Sequence, residues 1–233
     1  MSALSYQARR DEIETYFDRT AADAWAALTS DAPVSRIRRT VRRGRDAMRE
    51  TLLSWLPHDL SGSTLIDAGC GTGTLAIEAA RRGAEVVAVD LSPTLVNLAR
   101  ERLRDLQEDL DVTFLVGDMR DLGLGCFDYA VAMDSIIHYD VLDGVQTLNA
   151  IAEQINCKMV FTFAPKTPLL AIMHATGRWF PKADRAPSIE PVSPRHLEDN
   201  LARMGLMKDW EKGRSHRVDV GFYKSHAMEL TRR

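Results

Sequence analysis

"LIDAGCGTGTLAIEAA", residues 65–80, decides how this chain is read. A short apolar run enters a turn holding Gly69, Gly71 and Gly73, and the turn opens into a helix predicted over 73–82. Glycine there permits backbone angles barred to other residues and lets a ligand lie against the main chain. "EVVAVD", residues 85–90, follows as a second strand that ends on Asp90. Gly71-x-Gly73-x-x-Ala76, with Asp90 19 residues beyond Gly71, satisfies the bare dinucleotide fingerprint. Glycine spacing therefore leaves a nicotinamide enzyme open.

Outward from this unit the same alternation continues. "STLIDA" (63–68), "DVTFLVGD" (111–118), "CFDYAVAMD" (126–134) and "CKMVFTFA" (157–164) read as further buried strands. "SPTLVNLARERLRDLQE" (92–108) and "LDGVQTLNAIAEQI" (142–155) read as the helices between them, the first capped by Ser92 with Pro93 at its first position. Near-continuous apolar strands separated by helices predict an α/β fold, Rossmann-like, with a mostly parallel sheet covered on both faces. Such sheets bind ligands beyond the carboxyl ends of their strands.

Two helices are expected upstream, over 8–30 and 34–56, and make residues 1–58 an N-terminal helical cap or lid on a domain spanning 59–233. Beyond 165 the pattern loosens. An amphipathic stretch (165–180) and a proline-rich one (181–194) are expected to form an insertion around 165–195. A helix over 193–203 and one closing strand within "VDVGFYKSHAMEL" (218–230) complete the chain.

The 233 residues suffice for one substantial core, and a formal charge of −3 argues for no particular partner. Three scattered cysteines form neither a disulfide framework nor a metal pair, so a reducing compartment and no protein-bound metal are expected. The start lacks a signal-peptide core, and no apolar run approaches the ~18–20 residues of a membrane span. A cytoplasmic protein is expected, with peripheral contact on a membrane left open. Charge is nevertheless uneven: seven arginines lie between Arg36 and Arg49. They suit a solvated helix face, a landing patch for anionic lipid, or a grip on an anionic substrate; nothing else in the chain supports nucleic acid.

Three features tilt the glycine turn away from a dinucleotide. Asp67 precedes Gly69 by two residues, where a carboxylate repels a pyrophosphate and attracts a cation. "VGDM" ends the third strand, placing Asp118 to accept from an adenine amino group and Met119 to pack on the ring. No hydride-transfer machinery follows. A sulfonium cofactor with an adenosine end fits all three.

"DAGCGTG", "VVAVDLS" and "VGDM" resemble the successive motifs of class I S-adenosylmethionine-dependent methyltransferases over roughly residues 60–165. The resemblance implies that Gly69, Gly71 and Gly73 line the methionine part, that Asp90 with Leu91 holds the ribose, and that Asp118 with Met119 flanks the adenine. Asp134 is expected either to orient the cofactor's amino group or to cap its strand. The flanks "YFDRTAADAWAAL" (16–28), "VSRIRRTVRRGRDAMRETLLSWL" (34–56), "MDSIIHYD" (133–140) and "FTFAPKTPLLAIMHATGRWFP" (161–181) resemble the magnesium-protoporphyrin IX O-methyltransferase family of (bacterio)chlorophyll synthesis. The C-terminal match is looser and rests on "FYKS".

That resemblance implies methyl transfer from S-adenosyl-L-methionine to a propionate of magnesium-protoporphyrin IX, with S-adenosyl-L-homocysteine as by-product. It implies a lid helix that brings Tyr16 near the methyl; His138, after the fourth strand, is expected to donate to the propionate, so that Tyr16 and His138 are the catalytic pair that position it. The resemblance also implies hand-over of substrate from the large porphyrin-binding subunit of magnesium chelatase. Localisation would be cytoplasmic or peripheral on the photosynthetic or inner membrane. Tyr139, His174, Trp179 and Phe180 are the residues expected to border the flat, apolar ring. A methyltransferase of a quinone or a carboxylic metabolite shares every cofactor residue and stays open at this point, as does a non-enzymatic membrane- or nucleic-acid-binding protein.

Overall fold

The computed structural model describes residues 6–20, 27–29, 33, 35–120, 123, 125–166 and 189–233. Helix α1 (Tyr6–Thr15) runs into a π-helical turn (Tyr16–Thr20). The helix expected over 8–30 thus changes winding at Tyr16, and residues 21–26 lie outside the described ones. Helix α2 (Arg36–Ser54) begins where the Ser35 side chain accepts from the Arg38 amide. Its apolar stripe buries Met48, Leu52 and Leu53, and Pro57 bars continuation.

Seven strands form one sheet: β1 (Thr64–Ala68), β2 (Glu85–Asp90), β3 (Val112–Val116), β4 (Phe127–Ala132), β5 (Ile155–Phe163), β6 (Trp210–Val220) and β7 (Tyr223–Arg232). Their order is β3-β2-β1-β4-β5-β7-β6. The first five pair in parallel, and β7 lies antiparallel to both β5 and β6. β1 is flanked by β2 on one side and β4 on the other, so successive connections leave it in opposite directions. That topological switch opens a crevice at the carboxyl ends of β1 and β4, which is where ligands bind in sheets of this kind.

Period-2 alternation sends Leu65, Val86, Ala88, Val131 and Val160 to one face, against α2, α3 (Thr74–Arg81) and α4 (Pro93–Leu106). Ile66, Ala130, Met159 and Phe161 face the other way, against α5 (Val141–Ala152) and α6 (Pro194–Arg203). Helix α2 packs directly on the sheet. A Cβ at Gly44 would come within 2.5 Å of the Tyr223 ring, so only glycine lets the helix lie this close to β7.

The C-terminal end corrects one expectation. In place of a single closing strand there is a hairpin, because "WEKGRSHRVDV" is itself a strand. β6 is the sheet edge and buries only Trp210 and Val218, so it carries almost no apolar signature. Among the described residues no helix is long and apolar enough to cross a membrane.

Candidate active site

The glycine turn forms the floor of a cavity of about 520 Å³ at the carboxyl ends of β1 and β4. Gly69 (φ 85°) and Gly71 (φ 53°) take left-handed backbone and line it. A Cβ on Gly69 would sit 2.3 Å from that of Ser135. Gly73 (φ 75°) is placed differently: it caps α3, and a Cβ there would come 2.6 Å from the Phe114 ring and 3.0 Å from the Ala99 side chain. It is absent from the cavity wall and serves the close packing of α3 on β3 and α4.

Two carboxylates lie under the floor. Asp90 accepts from the Gly71 amide at 2.8 Å through one oxygen and from the Ser92 amide at 2.9 Å through the other. Burial raises its pKa, and those amides oppose the rise. Asp67 is 2% exposed, and its Oδ2 has no hydrogen-bond partner. Burial, then the charge of Asp90, pushes its carboxyl up to about 7. An unpartnered buried carboxylate oxygen on a cavity wall fits a cationic ligand group. Leu91 and the buried Met119 add apolar wall beside Asp90.

The N-terminal segments lie across this floor. Ile13, Phe17, Leu28 and Thr29 line the cavity from above. Asp18 accepts from the Ser92 hydroxyl and the Thr94 amide at the start of α4. The Thr72 hydroxyl donates to that of Thr29 at 2.9 Å. Asp118 is held in the same way: its Oδ1 accepts from the Tyr6 hydroxyl at 2.6 Å and from the Arg120 amide at 2.9 Å, and Arg10 lies 3.7 Å from its Oδ2. The carboxylate expected at the adenine edge is therefore engaged by α1 and does not line the cavity, although its neighbours Gly117 and Met119 do. Tyr6 stacks on Tyr139 at 5.1 Å, and the Arg120 guanidinium lies over the Tyr6 ring, 3.3 Å from its centre.

Beside the floor, the turn after β4 brings Asp134, Ser135, His138 and Tyr139 to the wall. His138 is buried on a 3₁₀ turn (Ile136–His138), and the Phe17 ring meets it edge-on at 5.7 Å. Tyr139 is buried, and burial pushes its hydroxyl up to about 12. Tyr16 is half-buried, with its hydroxyl raised by burial, and packs edge-on against Phe17 at 5.2 Å. Phe17 lines the cavity and Tyr16 does not.

Asp134 is a hub. It takes a left-handed backbone (φ 55°) and accepts from Arg45 at 2.6 Å, from Tyr223 at 3.0 Å, from Ser225 at 3.1 Å and from Thr162 at 3.2 Å. Side chains from three elements, α2, β5 and β7, thus meet on one carboxylate, which fixes the Arg45 guanidinium at the cavity wall beside Arg42 and Arg49. The arginine run predicted charge in this region; only the fold singles out which arginines reach the site. Phe17, Arg45 and Tyr6 are the residues that sequence reasoning did not select. The insertion's ends are pinned beside His138: the Glu190 amide donates to Ile137 O and the Val192 amide to Ala164 O. His174, Trp179 and Phe180 lie outside the described residues. Among the described residues no cluster of metal-ligating side chains occurs.

A 3-2-1-4-5-7-6 sheet with a glycine-turn floor and an acid ending β2 defines a class I methyltransferase. The profile of a methyltransferase domain matches residues 65–156, and that of the magnesium-protoporphyrin IX methyltransferase C-terminus matches residues 132–232. The magnesium-protoporphyrin O-methyltransferase of Rhodobacter capsulatus is 45% identical, the match covering 96% of this chain and 97% of that one. The chloroplastic magnesium protoporphyrin IX methyltransferase of Arabidopsis thaliana is 30% identical over 94% of this chain and 70% of its own length. The crystal structure of magnesium protoporphyrin IX methyltransferase from Synechocystis PCC 6803 with bound SAH superposes with a TM-score of 0.86 at 25% identity, covering 97% of this chain and 100% of that one. The chain belongs to the magnesium-protoporphyrin IX O-methyltransferase family.

Proposed function

We propose that the chain transfers a methyl group from S-adenosyl-L-methionine to a propionate carboxylate of magnesium-protoporphyrin IX, in (bacterio)chlorophyll biosynthesis. The products are the monomethyl ester and S-adenosyl-L-homocysteine. The observation that carries the reading is one cavity whose lining brings together the unpartnered Asp67 oxygen, Asp90, His138 and Arg45. The magnesium arrives inside the substrate and needs no ligand from the protein.

S-adenosylmethionine supplies an electrophilic methyl: the carboxylate oxygen bonds to its carbon as the carbon–sulfur bond breaks. A propionate with an ordinary carboxylate pKa of about 4–5 is already ionised at neutral pH, so no general base is required. The protein's work is alignment and exclusion of water. Asp67 takes the cofactor's ammonium, and Asp90 with Leu91 takes the ribose. Gly69 and Gly71 let it lie on the main chain, Gly73 holds the turn against α3, and Met119 covers the adenine while Asp118 fastens α1 above it. His138 donates to the propionate, and Phe17, backed by Tyr16, closes the reaction centre. Residues 1–58 act as the lid, and the insertion carrying His174, Trp179 and Phe180 covers the porphyrin together with Tyr139. Asp134 positions Arg45 toward the anionic substrate.

The test is an assay with methyl-labelled S-adenosylmethionine and magnesium-protoporphyrin IX. Label is expected in the porphyrin ester; no label there, with transfer to a quinone instead, overturns the assignment. His138→Phe is expected to lower turnover by 10²–10³-fold at saturating substrates, the range lost with one donor at a reacting group, whereas Tyr16→Phe falls less than tenfold. Magnesium chelatase's large porphyrin-binding subunit is the proposed donor of substrate. The proposed location is cytoplasmic, with peripheral contact on the photosynthetic or inner membrane.

A further inference from the structure

Ser135 carries a hydroxyl that the fold does not use. Ser35, Ser92 and Ser193 stand at the heads of α2, α4 and α6, and the side-chain oxygen of each accepts from the amide three residues further on. Ser135 heads the 3₁₀ turn and makes no such bond. The three capping serines hold extended backbone, with ψ of 161°, 112° and 146°, whereas Ser135 is itself helical, with φ −93° and ψ −45°. Its Oγ is buried and has no hydrogen-bond partner among the described residues. A buried hydroxyl left unbonded destabilises a fold, so one that persists at a cavity wall points to a ligand.

The chain is bent to put it there. Asp134, just before it, takes a left-handed φ of 55° and is held by Arg45, Tyr223, Ser225 and Thr162. Gly69 makes room, since any side chain on it would run into the Ser135 Cβ. Ser135 therefore abuts the glycine floor. It also precedes His138 by three residues, one full 3₁₀ turn, so the two side chains fall on the same face, and both line the cavity.

We propose that Ser135 is a further catalytic residue: its hydroxyl and His138 both donate to one oxygen of the propionate, leaving the other oxygen to attack the methyl. Charge selects that partner. Asp67 and Asp90 supply acceptors for the ammonium and the ribose, whereas a hydroxyl beside an imidazole supplies donors, which a carboxylate requires. Two donors on one oxygen fix the plane of the carboxylate and the direction of attack, which a single donor leaves free to rotate. The proposal rests on the porphyrin reading of the site.

The experiment is Ser135→Ala, which removes the oxygen and adds no atom. Because the hydroxyl bonds to nothing within the protein, the ligand-free variant should keep or raise the wild-type thermal midpoint. Its kcat/KM for magnesium-protoporphyrin IX should nevertheless fall roughly 10- to 100-fold, the contribution of one hydrogen bond to a charged group. The Kd of S-adenosyl-L-homocysteine, read by calorimetry, should be unchanged. Ser135→Cys, with a weaker donor of similar size, should fall between the two. The variant should bind the diacid porphyrin less tightly, and should bind magnesium-protoporphyrin dimethyl ester, which has no carboxylate, as the wild type does. A lowered midpoint, unchanged turnover, or equal losses for diacid and diester overturns the proposal. So does weakened S-adenosyl-L-homocysteine, the sign that the hydroxyl serves the cofactor's own carboxylate. If the wild type forms labelled porphyrin ester and the variant matches it, this proposal alone fails; if the wild type forms none, the porphyrin reading fails with it.

Discussion

Asp67→Asn should act with opposite sign on the empty and the loaded protein. Asp67 is 2% exposed, its Oδ2 lacks a partner, and Asp90 lies close enough to repel it. Burial first, and that repulsion second, move its carboxyl from the ordinary 3.8 to about 7. A carboxyl raised on folding keeps a proton that the unfolded chain releases. Stability therefore falls as pH rises between those two values and levels off above them. The span is roughly 3 pH units, or about 4 kcal/mol at ~1.4 kcal/mol per unit, of which about 3 kcal/mol falls between pH 5 and pH 8. Urea unfolding of the ligand-free protein at both pH values measures it. The wild type should lose about 3 kcal/mol more than Asp67→Asn, since contributions from all other groups cancel in the comparison. Saturating S-adenosyl-L-homocysteine, which carries the ammonium, should flatten the wild-type curve by holding Asp67 ionised. Its affinity for the wild type should tighten as pH rises toward about 7, while the variant binds weakly at every pH. Parallel stability curves, or equal affinity in the two proteins, would refute the assignment of Asp67 as the buried, unpaired cation acceptor.

Three further outcomes are expected. Gly73→Ala should destabilise the fold by about 2–4 kcal/mol in urea titrations, because the added methyl meets Phe114 and Ala99 at a left-handed backbone position. Asp134→Ala should cost about 3–5 kcal/mol by leaving the Arg45 guanidinium without its carboxylate. Asp134→Asn, which tolerates φ 55° and keeps an acceptor, should cost less, as differential unfolding of the two variants will show. Burial alone would raise Glu229, but the hydrogen bonds and charges of Arg214 and Lys158 outweigh it and hold the carboxyl at about 2 in place of 4.5. The pair's stabilisation is present above pH 4.5 and lost as pH falls through about 2. Glu229→Gln should thus cost about 2–3 kcal/mol at pH 7 and nearly nothing at acid pH, as read by denaturant midpoints.

Much of the fold was legible in the chain. "EVVAVD" is β2 from end to end, and the strands at 64–68, 127–132 and 155–163 fall within one or two residues of the predicted runs. Each is apolar because both faces of a parallel sheet are covered, so composition alone marks it. β6 escaped notice because an edge strand with two buried residues looks like a loop. The break at Tyr16 escaped because helical periodicity does not distinguish α from π winding within one turn.

The sequence by itself determined the glycine turn, the acid 19 residues beyond Gly71 and the alternation of strand and helix, and Asp67 with "VGDM" added the cofactor class. These are local features, each carried by a few consecutive residues. Only the tertiary structure decided which of those residues reach the cavity. Gly73 turns into the packing, and Asp118 is occupied by Tyr6, 112 positions away. Asp134 binds Arg45 and Tyr223, each 89 positions away, and Phe17 lines the cavity where Tyr16 does not. Such partnerships depend on how the N-terminal helices and the C-terminal hairpin fold back over the sheet. That return path is set by burial summed over the whole core, so no short stretch of sequence records it.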